Sequence, residues 1–276
     1  MKKLFIILSL VLLAAPLFGQ TYLEEPARIS PTDAYITTYA TLCNTYTRSF
    51  TFRYNAQNRI SYWVAYPLNA GLIGTGSRGE GWLPDPALPE NIQASLYKGF
   101  KYGSGYDRGH QIPSADRLDP APNEQTFRFT NATPQLHDFN GGLWAELEKV
   151  VRNWSKRCDT LYVVTGVIPG EKYIEDNLGN PVNIPSVYYK AVLRYFKNRN
   201  GYVFWTPCAI VLEHKDYPVG TWKDNLVLFK EKSVSLEELE ALTQEEFFPL
   251  LEEIIGTEEF RKLKKLKPRD QSLWWM

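Results

Sequence analysis

The chain has 276 residues, 44% hydrophobic and 14% aromatic, enough to bury a sizeable core, with one large domain as plausible by length as two small ones. Lys+Arg and Asp+Glu both number 31, and without Lys2 and Lys3 of a cleavable leader the balance is 29 against 31, a net of −2. That excludes the overall basic excess by which most nucleic-acid-binding chains are recognised, so any electrostatic attraction for phosphate has to be local.

The first residues are Met1-Lys2-Lys3, then an apolar run from Leu4 to Ala15 broken only by Ser9, then Pro16-Leu17-Phe18-Gly19-Gln20. A run this short suits a signal-peptide core and falls below the ~20 residues that span a bilayer. Residues 1–20 are therefore expected to be a signal peptide cut near Gly19 or Gln20. They would send a single domain, 21–276 with its C-terminal helical segment, to the periplasm or the medium, with no membrane association afterwards. No Cys follows the run, so the lipid-anchor pattern is absent. Cys43, Cys158 and Cys208 permit one disulfide and one leftover thiol in any of three pairings, and their spacing matches no zinc site.

Residues 21–46 show no clear periodicity and are expected to wrap the surface. Strands are predicted at Ser49 to Tyr54 and at Arg59 to Pro67, where Ile60, Tyr62, Val64 and Tyr66 alternate. Asn69 to Pro89, rich in Gly and Pro, is a long loop of a length usually reserved for function or disorder. A helix is predicted from Asn140 to about Lys156, because Leu143, Leu147, Val150, Val151 and Trp154 share one face. Buried strands follow at Leu161 to Gly166, Tyr188 to Leu193 and Ala209 to Leu212, where β-branched and aromatic residues cluster. Ser235 and Glu238 form a capping box before an apolar face of Leu236, Leu239, Leu242 and Phe247, and Thr257 to Lys267 is expected to be a solvated helix. The mixture is α+β, without strict βαβ alternation.

Gly74-Thr75-Gly76-Ser77-Arg78-Gly79 fits the dinucleotide-binding G-x-G-x-x-G pattern but opens Glu80-Gly81-Trp82-Leu83-Pro84, which cannot be the required helix. What survives is a glycine-rich loop carrying Arg78, locally more like an exposed turn charge than a phosphate contact. Positive charge otherwise gathers in one stretch, as Lys98, Lys101, Arg108, Arg117 and Arg128.

Of three histidines, His110 stands in a polar loop, Asp107-Arg108-Gly109-His110, the best setting for a general base, although an isolated His is more often structural. His137 and His214 read as structural, His137 lying in the loop before Asn140. At the head of the helix Asn140 suits an N-cap, or a neutral oxygen donor to a mostly hydrated cation such as Mg2+. Glu148 lies on the same helix, roughly 12 Å along the axis, too far for the same inner sphere but able to hold a metal-bound water. Phosphodiester cleavage needs a base, a cation, positive charge on flanking phosphates and groups that hold the base. His110, Mg2+ on Asn140, Arg78 or Arg108, and Asn131 are candidates in that order.

Three ordered blocks are Asp107-Arg108-Gly109-His110 with Pro113 and Ala115-Asp116, Thr130-Asn131-Ala132-Thr133-Pro134-Gln135, and Phe139-Asn140-Gly141-Gly142-Leu143-Trp144-Ala145-Glu146-Leu147-Glu148. Together with Arg78-x-x-x-Trp82-x-x-Asp85-Pro86, the chain resembles the DNA/RNA non-specific endonucleases of the ββα-metal superfamily, apart from Gln111-Ile112, where the family often has an aliphatic pair. The resemblance implies an α+β fold with a central, mainly antiparallel sheet flanked by helices and a ββα-metal unit. That unit would run from the strand bearing His110, through a strand near Phe127 to Asn131, to the helix at Asn140. It also implies His110 as base, Asn140 as the direct ligand of Mg2+ or Mn2+, Glu148 acting on the metal through water, Arg78 gripping phosphate, and Asn131 ordering the site. DNA and RNA would be the substrates; the oligomeric state stays open. Asn131-Ala132-Thr133 and Asn153-Trp154-Ser155 also match glycosylation sequons, the first by chance if Asn131 serves the site. Competing readings are a nucleic-acid-binding protein on a nuclease scaffold and a metal phosphodiesterase for small substrates.

Overall fold

The computed structural model describes residues 22–97 and 105–275; the signal-peptide reading and Lys98 and Lys101 lie outside the described residues. A seven-stranded antiparallel sheet runs in the order β1-β2-β3-β6-β7-β8-β9. Its strands are β1 (Ala34–Leu42), β2 (Thr45–Asn55), β3 (Ile60–Leu68), β6 (Thr160–Glu175), β7 (Pro181–Lys197), β8 (Val203–Glu213) and β9 (Ser233–Val234). A separate ribbon pairs β4 (Tyr106–His110) with β5 (Ala132–Leu136).

Period-two alternation lets each strand bury two faces at once. On β3, Val64 and Tyr66 join one apolar cluster while Trp63 and Ala65 join another; on β7, Tyr188 and Val192 divide likewise from Tyr189 and Ala191. The first face receives α3 (Ala145–Ser155), whose Leu147, Val150, Val151 and Trp154 are buried against it. Each such side chain contributes about 1.5–3 kcal/mol. The second face receives α5 (Leu236–Thr243), α6 (Pro249–Ile255) and α7 (Thr257–Lys264). Short helices α1 (Ala70–Ile73), α2 (Pro120–Thr126) and α4 (Trp222–Glu231) complete the described elements of this kind. The α+β architecture with a mainly antiparallel sheet is as expected.

Several local expectations are corrected. Residues 34–42 are not a wrapping segment but the edge strand β1, joined to β2 by the two-residue turn Cys43-Asn44, both with positive φ (50° and 62°). Its alternate Tyr and Thr residues are polar although only Tyr39 and Thr41 are exposed, which hid the period. The second strand of the ribbon is β5, starting at Ala132; Phe129–Asn131 is a 3-10 turn. The α7 helix is not wholly solvated, since Phe260 and Leu263 are buried, whereas Leu242 of the preceding face is half exposed. The Ser235–Glu238 capping box is present. All three cysteines are free.

Candidate active site

The β4–β5 ribbon carries the first site residues. Register pairs Asp107 with Gln135, Gly109 with Thr133 and His110 with Ala132. A Cβ on Gly109 would stand 2.0 Å from Oε1 of the buried Gln135, so glycine is the residue that lets the ribbon close. Just before β5, Asn131 locks the ribbon to the chain that follows β4. Its Oδ1 accepts from Ile112 N (3.0 Å), and its Nδ2 donates to the carbonyls of Ile112 (3.0 Å) and Thr126 (2.8 Å). Buried and with three hydrogen bonds made, Asn131 ties the turn before β5 to the chain after His110, and its burial argues against use of its sequon.

His110 is buried between two aromatic rings, with centroids 4.7 Å from Trp82 and 4.8 Å from Phe127. Two guanidiniums cover the same rings from other directions: Arg78 lies 5.3 Å from the Phe127 centroid and Arg108 5.6 Å from that of Trp82. Burial first, then the charges of Arg78 and Arg108, push the His110 imidazole down to about 3, so the ring is neutral at ordinary pH. Its Nε2 is buried and has no hydrogen-bond partner among the described residues. Arg78, Arg108, Trp82 and Phe127 share the walls of a cleft of about 280 Å3.

The glycine-rich loop that carries Arg78 is ordered by specific contacts. Gly79 N donates to Asn123 Oδ1 (2.7 Å), Leu83 N to Phe127 O (3.1 Å), and Phe129 N to Leu83 O (2.9 Å). Beyond it, Thr130 donates to Asp85 Oδ2 (2.6 Å). Arg78 itself is exposed, and Arg108 is tethered by its Nη1 to the carbonyls of Leu96 (2.9 Å) and Tyr97 (3.2 Å). The rest of the expected basic cluster is differently occupied. Arg117 is buried and donates to the carbonyls of Asp116, Ser49 and Pro67, and Arg128 pairs with Glu124.

Asn140 is not an N-cap. It lies inside a π-helical turn, Phe139–Trp144, capped by Asp138 and kinked at Gly142, which leads into α3. An extra residue in such a turn rotates what precedes it, so the regular row from Asn140 through Trp144 to Glu148 is not maintained. The Asn140 Nδ2 donates to Asp107 Oδ2 (3.0 Å), leaving Oδ1, a neutral hard donor, with no hydrogen bond from the described residues. Glu148 is pushed up to about 7, chiefly by burial and also by Asp116, against the opposing pull of Lys190, Arg152 and Arg78. An amide oxygen is a donor that fits a hard divalent cation keeping most of its own waters. Among the described residues no group of three His, Cys, Asp or Glu side chains forms a conventional metal cage.

The structure therefore brings His110, Arg78 and Arg108 together around Trp82 and Phe127, and couples Glu148 electrostatically to Arg78. Sequence reasoning missed the support beneath. Lys190 is buried, donates to Thr165 Oγ1 (2.7 Å), lies 4.9 Å from the Trp144 ring centroid, and is pushed down to about 8 by burial. Arg152 donates to Asp116 Oδ1 (2.7 Å), and Tyr66 donates to Asp116 Oδ2 (3.0 Å). A lysine inside the apolar run Tyr188 to Leu193, and an arginine one turn after Glu148, were the available signals.

The DNA/RNA non-specific endonuclease family matches residues 30–253. A nuclease of Nostoc sp. is 34% identical over 179 residues, covering 62% of this chain and 60% of its own length. Nuclease C1 of Cunninghamella echinulata is 30% identical over 210 residues, 71% of this chain and 79% of that protein. Among solved structures, an EndoG/EndoGI complex described as showing the mechanism of EndoG inhibition aligns with a TM-score of 0.57 at 22% identity, covering 72% of this chain and 82% of that one. That likeness shows a shared fold.

Proposed function

The chain belongs to the DNA/RNA non-specific endonuclease family, and from that premise we propose that it is an exported, Mg2+-dependent endonuclease hydrolysing DNA and RNA with little sequence preference. The observation that carries the reading is His110: a buried, neutral imidazole packed between Trp82 and Phe127, whose rings wall a cleft together with Arg78 and Arg108. Export rests on the N-terminal apolar run alone. Among the described residues no helix is long and apolar enough to cross a membrane.

In this reading Arg78 and Arg108 grip phosphates beside the scissile bond, as arginine forks do. Their charge helps depress His110 in the free protein, and phosphate oxygens bound to them offset it. The imidazole thus becomes a stronger base when substrate is in place, which suits a group that must take a proton from water near neutral pH. Water attacks phosphorus, His110 receives its proton, and the bond to the leaving oxygen breaks. Asn140 Oδ1 would hold a divalent cation, Mg2+ or Mn2+, with Glu148 acting through water; when bound, it stabilises charge on the nonbridging and leaving oxygens. Asn131 keeps His110 in register throughout. The protein makes no base-specific demand in this scheme, consistent with little sequence preference.

The test is incubation with supercoiled plasmid, single-stranded DNA and RNA, each with Mg2+ or with chelator. Cleavage of all three with Mg2+ and none with chelator is expected. No cleavage of any substrate under Mg2+ would overturn the proposal.

A further inference from the structure

An asparagine amide presents two ends of nearly equal size, and only the oxygen can ligate a cation. Something must therefore decide which end of Asn140 faces outward. Its partner is Asp107, whose Oδ2 lies 3.0 Å from Asn140 Nδ2. An ionised carboxylate only accepts, so this contact admits one orientation of the amide; the reversed one sets oxygen against oxygen and loses a charge-assisted hydrogen bond.

Asp107 is itself held from a second side. His137 Nδ1 lies 3.0 Å from its Oδ2 and 3.2 Å from its Oδ1, and His137 N donates to Gly105 O (2.8 Å), fixing the end of β5 against the start of β4. Two side chains, His137 just after β5 and Asn140 of the π turn, thus converge on one carboxylate. The side chain of Asp107 is 34% exposed and that of His137 72%, so neither is a core group on which the fold depends.

We propose that Asp107, steadied by His137, is the positioning residue that orients the Asn140 amide so that Oδ1 rather than Nδ2 meets a divalent cation. The inference rests on the metal reading above. Outer hydrogen-bond partners of metal ligands are commonly worth 10–100-fold in affinity, and an orientation-setting partner belongs in that range.

The experiment is Mn2+ binding to the metal-free full chain, read from the paramagnetic resonance signal of free Mn2+, with circular dichroism and a melting curve of each metal-free variant. Asp107→Asn, whose amide no longer discriminates between the two ends of Asn140, and Asp107→Ala should each weaken Mn2+ about 10–100-fold with unchanged melting. His137→Ala should weaken it by a smaller factor. If Asp107→Ala does not fold, the near-isosteric Asp107→Asn and the surface variant His137→Ala decide. Wild-type Mn2+ affinity in Asp107→Asn, while Asn140→Ala abolishes binding, overturns this inference and leaves the metal reading standing. Absence of Mn2+ binding by the wild type, or undiminished binding by Asn140→Ala, overturns both.

Discussion

Gly109→Ala is a small change with a large expected effect. The glycine is in a strand, outside the set of positive-φ residues, so alanine suits the backbone; the obstacle is the neighbour. The added Cβ would meet Gln135 Oε1 at 2.0 Å, Cδ at 2.2 Å and Cγ at 2.5 Å. Carbon contacts settle at about 3.5–4.0 Å, so one side has to move by more than about 1 Å. Gln135 is buried, which makes this an overpacking of about 1–3 kcal/mol. If the ribbon yields instead, His110 moves with it, and a displacement of about 1 Å costs on the order of 100-fold in rate. Urea unfolding and a fluorescent plasmid-nicking assay measure the two effects. All three clashing atoms lie beyond the Gln135 Cβ, so Gly109→Ala with Gln135→Ala should recover most of the lost rate. A Gly109→Ala protein with wild-type rate and stability, or a double variant no faster than the single one, refutes the reasoning.

Asn131→Ala removes three hydrogen bonds and leaves Ile112 N and the Ile112 and Thr126 carbonyls short of partners. It should lose about 1–3 kcal/mol or more per stranded buried group in chemical unfolding, with activity falling alongside stability. Arg152→Met leaves the buried Asp116 carboxylate without its cation and should cost about 3–5 kcal/mol by the same measurement. Glu148 supplies a pH prediction in chelator. Its folded pKa, about 7, lies above the ordinary 4.5, so between those values the folded state keeps a proton that the unfolded state has lost. Stability contributed by Glu148 is therefore lost as pH rises through that window, and Glu148→Gln should show a flatter stability profile there. Parallel wild-type and Glu148→Gln profiles from pH 4 to 8 would count against the buried setting of Glu148.

Much of this arrangement was legible in residues. Runs such as Tyr188 to Leu193 announced buried strands because both faces of the sheet are covered, and the α3 face followed from its helical period. The edge strand β1 escaped because about half its side chains are Thr or Tyr, which break the apolar alternation even where they are partly buried. The turn at Phe139–Trp144 escaped because helical periodicity assumes regular winding, which a π turn interrupts. At the site, the order of the three blocks pointed to His110, Asn140 and Glu148. No spacing rule could place Arg117 in the core, bonded to three carbonyls, rather than on a phosphate. Nor could one show that Asp107 faces Asn140, since residues 33 apart meet only through the ribbon and the turn.

The most direct measurement is the initial rate of cleavage of plasmid DNA and of RNA in Mg2+ by the wild type and by His110→Ala, each shown to be folded by circular dichroism. The wild type should cleave both, and His110→Ala should lose at least about 100-fold on both, the low end of general-base catalysis. A folded His110→Ala protein that cleaves either substrate at the wild-type rate contradicts this.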